Sequence, residues 1–175
     1  MSLFDWLKKS SGRDLEVESS ESSAVRDIAH RLSRLDPARA LWVAAFAMVL
    51  ARAARADMDI SRDELQAMQE IVGSIGDLAE DEASLVAEMA AHRNELLGVT
   101  EDYLATREFK RVAAEGDTER LLSCLFAVTA ADNSISLVEE EELRQVANEL
   151  GIEQKEFAVI RARYRDKREV LRGLQ

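Results

Sequence analysis

Apolar residues recur along the chain at spacings of three and four, which is the period of amphipathic helices. Val25, Ile28 and Leu32 share one face of a first predicted helix. A second helix is predicted to begin at Pro37, with Asp36 as its N-cap, and to end near residue 56. Because this second segment is apolar on nearly every side, we expect it to lie at the centre of the fold.

Further amphipathic segments follow, and none of the chain alternates strictly between apolar and polar residues as a half-buried strand would. The later predicted helices are Arg62–Ile75, Ala83–Leu97, Thr100–Ala114, Thr118–Ala131 (with Asp117 as N-cap), Leu137–Leu150 and Gln154–Arg172. Glycines, which favour the left-handed backbone of a helix C-terminus, stand at or just beyond four of the ends: Gly76, Gly98, Gly116 and Gly151. The sequence therefore predicts an all-α bundle of seven or eight helices.

Composition fits one helical domain. The 175 residues carry a net charge of −11, one cysteine and 5% aromatic residues. A single cysteine cannot form an internal disulfide, which favours a cytoplasmic protein. We expect residues 1–22 to be disordered or loosely ordered, because Ser10–Ser23 is rich in serine and mixed charge, and residues 23–175 to form the domain. The apolar run Ala40–Ala51 is too short to span a bilayer, and Met1–Lys9 is too short for a signal peptide.

A sequence repeat relates two segments that lie 75 positions apart. The pattern A-D-x-x-I-S-x-x-E covers Ala56–Glu64 and recurs at Ala131–Glu139. Downstream of both copies, the apolar positions stay in phase as far as Gly76 and Gly151. Two matches in one register indicate a duplicated unit of helix, short acidic turn and helix. We expect the two hairpins to pair around a pseudo-two-fold axis.

The serine and glutamate of each copy fit a capping box. In this motif the serine oxygen and the glutamate carboxylate accept hydrogen bonds from backbone N–H groups at the start of a helix. The motif would assign Ser61 with Glu64, and Ser136 with Glu139, to helix capping alone. The aspartates of the pattern need a separate explanation, because a helix C-terminus disfavours an anion.

The polar residues of both turns are also candidate cation ligands. The set comprises Asp57, Asp59, Glu64, Asp132, Ser134 and Glu139. Oxygen donors suit hard divalent cations such as Ca²⁺ and Mg²⁺, and the helix that ends at each turn adds carbonyl oxygens. The spacing excludes an EF-hand, because its final glutamate would fall on Met68. Asx-turns formed by the aspartates are the structural alternative, and both interpretations stay open at this point.

The succession of an apolar helix, A-D-x-x-I-S-x-x-E, an amphipathic helix and glycine resembles the TerB-like family of tellurite-resistance domains. The resemblance covers roughly Pro37–Tyr164 and includes Leu150-Gly151-Ile152 after the second copy. It implies a helical bundle of two hairpins in a bacterial, cytoplasmic, non-enzymatic module that is tied to tellurite or other chemical stress. It also implies metal-ion binding at the acidic turns. The family usually has glycine after the first aspartate, where this chain has Met58 and Asn133.

The same resemblance implies a protein partner, because members of the family serve as modules of larger assemblies. The net charge of −11 argues against nucleic acid. Phe4 and Trp6, together with the basic last helix, are candidates for peripheral contact with a membrane or an acidic partner. Residues 154–175 hold seven Lys or Arg against three acids, whereas residues 132–153 hold one Arg against seven acids. Packing of these two segments against each other is the alternative to an external contact.

Catalytic motifs are not visible in the sequence, so we expect a non-enzymatic protein. Cys124 lies on the apolar face of a predicted helix and is expected to be a buried, inert thiol. A di-iron site needs Glu three residues before His, but Met89 precedes His92 at that spacing. A protein-interaction scaffold, in which the acidic turns are only caps, is the second functional hypothesis.

Overall fold

The computed structural model of the chain describes residues 22–53, 60–96 and 102–168. Its helices are α1 (Ser23–Ser33), α2 (Pro37–Ala53), α3 (Arg62–Ser74), α4 (Glu80–Ala91), α5 (Arg93–Leu96), α6 (Asp102–Val112), α7 (Asp117–Thr129), α8 (Leu137–Leu150) and α9 (Gln154–Ala162). A short 3₁₀ helix follows at Arg165–Lys167. No β-strand occurs in these ranges, which confirms the predicted all-α class. Within the same ranges, no helix has the length and apolar character needed to cross a membrane.

Several predictions concern residues outside these ranges. They include the N-terminal segment with Phe4 and Trp6, and two of the candidate ligands, Asp57 and Asp59. The last residue of the predicted N-terminal segment, Ser22, is described. It is the N-cap of α1, and its Oγ accepts a hydrogen bond from the Val25 amide at 3.3 Å.

Helix α2 runs through the centre of the fold, as its almost continuous apolar sequence predicts. All twelve residues from 40 to 51 are buried, because α2 packs most extensively against α4 and α6 and also contacts α7 and α8. The predicted N-cap is confirmed: Asp36 Oδ1 accepts hydrogen bonds from the amides of Ala38 and Arg39, both at 3.1 Å. Pro37 occupies the first helical position, where its missing N–H costs nothing.

Three aromatic rings join α2 to α6. Phe46 stacks on Trp42 with a centroid distance of 5.1 Å and meets Phe109 edge-on at 5.8 Å. Phe46 and Phe109 are completely buried. This cluster explains how α6, a helix with mostly polar residues on its outer side, is held against the central helix.

Asp117 has a different role from the predicted one. It is the first residue of α7, whereas the N-cap is Gly116, with a φ of +84°. Its buried carboxylate accepts hydrogen bonds from Trp42 Nε1 at 2.9 Å, the Ala114 amide at 2.8 Å and Arg120 Nη2 at 2.6 Å. Burial alone would raise the pKa of Asp117, but these hydrogen bonds together lower it below the usual value of an aspartate. The side chain therefore links α7 to α2 rather than capping its own helix.

The glycine prediction holds at Gly151 but not at Gly76. Gly151 is the C-cap of α8 and has a φ of +81°. Helix α3 ends instead on Ile75 in a right-handed conformation, and the positive φ of 59° falls on Asp77. Glycine is required at position 76 for a different reason, since a Cβ there would lie 2.5 Å from the carbonyl oxygen of Val72. The close approach of the backbone, rather than a left-handed turn, requires this glycine.

Two other helices also differ from prediction at their ends. Helix α4 begins at Glu80 instead of Ala83, with three acidic residues in a first turn whose amides favour them. The last helix, α9, ends at Ala162 instead of near Arg172, because Tyr164 leaves the helical path and stacks on the ring of Phe126. Residues beyond this point form the 3₁₀ helix and reach the second acidic turn.

Candidate functional site

The second acidic turn, residues 131–136, connects α7 to α8. Asp132 Oδ1 accepts a hydrogen bond from the Ser134 amide at 3.0 Å, so the aspartate forms the Asx-turn that was the structural alternative. Asn133 adopts a left-handed backbone with a φ of +70°, which asparagine tolerates better than most residues. The Ser134 hydroxyl also points back to Asp132, at 3.5 Å. Local hydrogen bonds therefore shape this turn.

Both predicted capping boxes are present and nearly identical. The backbone angles are φ −67° and ψ 163° at Ser61, and φ −70° and ψ 164° at Ser136. Glu64 Oε2 accepts hydrogen bonds from the Ser61 amide at 2.8 Å and hydroxyl at 2.6 Å. Glu139 Oε2 does the same at Ser136, at 2.8 Å and 2.7 Å. The hydrogen bonds from Ser61 lower the pKa of Glu64.

Removing either cap should weaken the fold by a similar amount. We expect Ser61→Ala and Ser136→Ala each to lower the free energy of unfolding by about 1 kcal/mol, because the amide of Glu64 or Glu139 loses the serine Oγ that accepts its hydrogen bond at 3.3 Å. Urea titrations followed by circular dichroism would measure both. Ser74→Ala is the control, since Ser74 is an exposed serine whose hydroxyl donates only to carbonyls within its own helix. A loss at Ser74 as large as at the caps would contradict the assignment.

Residues from both copies of the repeat line one groove between α3, α7 and α8. We call it the acidic groove, and it has a volume of about 470 Å³. Its carboxylates come from both copies of the repeat: Asp63, Glu64, Asp132 and Glu139. Its apolar residues are Ile60, Ala67, Met68, Ile71, Val128 and Ala131. The helix packing thus brings together residues that lie 75 positions apart in the sequence.

Thr129, which also lines the acidic groove, carries a buried hydroxyl group. Thr129 is the last residue of α7 and is 7% exposed. Its Oγ1 is buried and has no hydrogen-bond partner among the described residues. A polar atom in this situation costs free energy, because it has lost its water and gained no partner in return. The lining of the groove therefore includes, besides its carboxylates, one residue whose side-chain oxygen makes no hydrogen bond.

The structure brings together three of the predicted site residues: Glu64, Asp132 and Glu139. Ser134 turns back to its own aspartate and does not line the groove. Asp57 and Asp59 lie outside the described ranges. Within those ranges, no three His, Cys, Asp or Glu side chains are close enough to hold a metal ion among themselves.

Sequence reasoning missed two lining residues, Asp63 and Thr129. Asp63 stands beside Glu64 in the first turn of α3, and its counterpart in the second copy is Val138. The repeat pattern therefore gave no reason to select it. Thr129 looks like any other position of a mostly apolar helix, so no local signal marked its hydroxyl.

The C-terminal residues clamp the second turn through Glu140. We call Arg161, Lys167 and Arg168 the C-terminal clamp. Glu140 is 6% exposed and receives two hydrogen bonds from Arg168, at 2.6 Å and 2.7 Å, and one from Arg161 at 3.2 Å. Lys167 Nζ donates to the side chain of Asn133. The opposite charges of residues 132–153 and 154–175 are thus partly satisfied within the chain.

A backbone hydrogen bond completes the clamp. The Ile135 amide donates to the carbonyl of Lys167 at 2.8 Å, and Ile135 forms an isolated parallel bridge with Arg168. Ile135 is completely buried. The second turn is therefore fixed by residues more than thirty positions further along the chain.

A second ionic network holds the end of α2 to α8. The side chain of Arg52 is 8% exposed and pairs with Glu142 and with Glu149, the latter at 2.7 Å. Thr106 of α6 donates to the same oxygen of Glu149 at 2.7 Å. Arg52 lies just before the first acidic turn in sequence, so this network links the entry of the first turn to a helix of the second copy.

The prediction that Cys124 is a buried thiol is confirmed. The thiol is completely buried, and burial raises its pKa to about 12. The thiolate, which is the reactive form, is therefore scarce at neutral pH.

Comparison with known proteins places this geometry in context. The family model described as tellurite resistance protein TerB matches residues 43–162, which is more than half of the chain. The match runs from the middle of α2 to the end of α9 and includes both capping boxes and the acidic groove. Neither the curated proteins nor the solved structures gave a match.

Proposed function

Because the chain belongs to the TerB family of tellurite resistance proteins, we propose that it is a non-enzymatic, cytoplasmic module associated with tellurite or other chemical stress. We further propose that it binds a divalent cation, Ca²⁺ or Mg²⁺, between its two acidic turns. The acidic groove carries this proposal, because Glu64 of one copy lines the same space as Asp132 and Glu139 of the other.

The chemistry of the groove fits a hard cation. Its donors are carboxylate oxygens and the hydroxyl of Thr129, and Ca²⁺ and Mg²⁺ prefer oxygen ligands. Four carboxylates around one groove repel each other, and a bound cation removes that repulsion. In the sequence, Asp59 directly precedes Ile60, which lines the groove.

A scaffold role is the second candidate, and the local hydrogen bonds favour it. Glu64 and Glu139 each use one oxygen in a capping box, and Asp132 uses one in its Asx-turn. If these bonds are the whole purpose of the acids, the groove is available to a protein partner instead of a cation.

Thermal melting with added cations separates the two candidates. The protein is treated with EDTA, dialysed and melted with Ca²⁺, Mg²⁺, Mn²⁺ or Zn²⁺ added separately. A cation at one hundred times its dissociation constant should add about 2.7 kcal/mol to the free energy of unfolding. Asp57→Asn and Asp132→Asn should reduce this gain. Asparagine keeps the oxygen that an Asx-turn needs, so the second variant removes charge while the turn persists.

The matched control is Asp81→Asn, an exposed aspartate in the first turn of α4 that does not line the acidic groove. It removes the same charge and should leave the response to cations unchanged. A melting temperature that no cation raises, or a rise that survives in both groove variants, would overturn the cation proposal and leave the scaffold role.

A further inference from the structure

The acidic groove has an apolar floor that a cation alone would leave in water. Ile60, Ile71 and Val128 line it and are only partly buried. Two smaller apolar residues, Ala67 and Ala131, line the groove as well. In protein complexes, amphipathic segments bind to grooves that are apolar at the base and carry the opposite charge at the edge. The groove therefore fits a short segment with large apolar side chains and basic residues.

The chain itself carries such a segment. Phe4, Trp6 and Leu7 supply three large apolar side chains, and Lys8 and Lys9 follow directly. Aromatic side chains bury the largest apolar areas, so Phe4 and Trp6 would be its anchors. The two lysines are opposite in charge to the carboxylates of the groove. Asp5, the one acid of the segment, lies between Phe4 and Trp6, so in an extended segment it would point away from the face that carries these anchors. The anchors and the lysines thus each have a counterpart in the groove.

The segment connects to the described part of the chain through α1, which is held against α4. Arg31, near the end of α1, pairs with Glu88 of α4, and Arg39, near the start of α2, pairs with Glu82 of the same helix. Helix α1 is therefore fixed to the bundle, and the segment starts from a fixed point at Ser22.

The connecting chain is long enough. Twelve residues, 10–21, separate Lys9 from Ser22, and in extended form they span about 40 Å. A domain of this length has a radius of gyration of about 15 Å. The extended connection is longer than twice this radius, so the segment can reach the acidic groove from Ser22.

We propose that the acidic groove binds residues 4–9 of the same chain, with Phe4 and Trp6 on the apolar floor and Lys8 and Lys9 against the carboxylates of the rim. The inference goes beyond the cation proposal and does not rest on it. A cation and the two lysines compete for the same carboxylates, so cation binding would loosen the segment.

Paramagnetic broadening tests the contact in the full-length chain. A nitroxide is attached at Ser2→Cys, and the methyl groups of isoleucine and methionine are isotope-labelled and observed in the presence of EDTA. The buried thiol of Cys124 will not react with the label. We expect the methyl signals of Ile60, Met68 and Ile71 to lose most of their intensity, while that of Ile160 on α9 keeps it.

Two variants of α3 with the same added charge provide the control. Ala67→Glu places a carboxylate on the groove floor, whereas Gln69→Glu places one on another face of the same helix. The broadening should disappear in Ala67→Glu and persist in Gln69→Glu. Thermal melting of both variants checks that each is folded.

Any of four results would overturn the inference. The groove methyl signals would stay sharp, or they would broaden equally in both α3 variants. In a mixture of spin-labelled and isotope-labelled molecules, broadening would show that the segment binds a second copy instead. Sedimentation of the protein with phosphatidylserine vesicles, together with sharp groove signals, would assign the segment to a membrane surface.

Cation titration keeps this inference separate from the proposed function. A melting response to Ca²⁺ or Mg²⁺ without broadening in EDTA would support the cation site and overturn the docked segment. Broadening without any melting response would support docking and overturn the cation site. If both hold, added cation should restore the groove methyl signals.

Discussion

Replacing Glu140 with alanine should lower the free energy of unfolding by about 3 kcal/mol, which is the usual cost of leaving a buried charge without its partner. Arg161 and Arg168 would then face each other with no carboxylate between them. The exposed fractions of the two side chains are 28% and 14%, so water compensates only in part. Urea unfolding followed by circular dichroism would measure the loss. Hydrogen exchange at the Ile135 amide should accelerate, since the clamp holds its acceptor.

Glu141→Ala is the matched control for this prediction. Glu141 is the next residue, its side chain is 75% exposed, and its ion pair with Arg144 is 3.4 Å long. An exposed pair of this kind contributes little, so the change should stay within about 0.5 kcal/mol. Equal losses at the two positions would show that the clamp contributes nothing beyond general surface charge.

Acid should remove the difference between the wild type and Glu140→Ala. Burial alone would raise the pKa of Glu140, but Arg168 and Arg161 lower it below the value in an unfolded chain. A carboxyl group with a lowered pKa contributes its full stability above the unfolded value of about 4.3. That contribution is lost as the pH falls through the lower, folded pKa. The two unfolding free energies should therefore converge in acid.

Replacing Phe46 with alanine should cost about 4 kcal/mol, the largest loss that we expect from one substitution. The ring is completely buried at the centre of α2, between Trp42 and Phe109. Its removal deletes apolar contacts and leaves a cavity that the surrounding helices cannot close. Thermal and urea unfolding would both report the loss, and the helix content of the folded state should change little.

The variant Phe46→Leu tests whether the loss of stability comes from the cavity or from replacing the phenylalanine as such. Leucine fills most of the space, so its cost should stay below about 1.5 kcal/mol. If alanine cost less than leucine, or if neither changed stability, α2 would not be the centre of the core.

The features that were predictable from the sequence are those that local chemistry determines. The apolar run from 40 to 51 forms the central helix because it has apolar side chains on every side, and burying them is favourable. The capping boxes at Ser61 and Ser136 appear as predicted, because each needs only residues three positions apart. The left-handed turn at Asn133 is likewise a property of that residue and its neighbours.

The features that escaped prediction depend on contacts between distant residues. The last helix ends early because Tyr164 stacks on the ring of Phe126. Helical periodicity in the sequence does not predict this contact. Charge counting indicated that the two C-terminal segments attract each other, but it could not select Glu140 as the buried partner. The pseudo-two-fold pairing of the hairpins stays a prediction, and the two glycine ends already differ from each other.

The candidate site, too, was predictable only in the part that local sequence determines. Repeat matching located Glu64, Asp132 and Glu139, which all line the acidic groove. The groove itself arises only when α3 packs beside α7 and α8, so its floor and the hydroxyl of Thr129 were not accessible to reasoning from pattern. The two aspartates of the first turn stay predictions until they are tested as cation ligands.

The hydrogen bond between Ile135 and Lys167 also sets an order of events during protein synthesis. A ribosome adds about 5–20 residues per second, so roughly 2–7 s pass between the synthesis of Ile135 and that of Arg168. A turn closes in far less than a millisecond once its partners exist. The second acidic turn is therefore completed only after the rest of its own hairpin has been made. During those seconds the second turn lacks the carbonyl acceptor of its Ile135 amide.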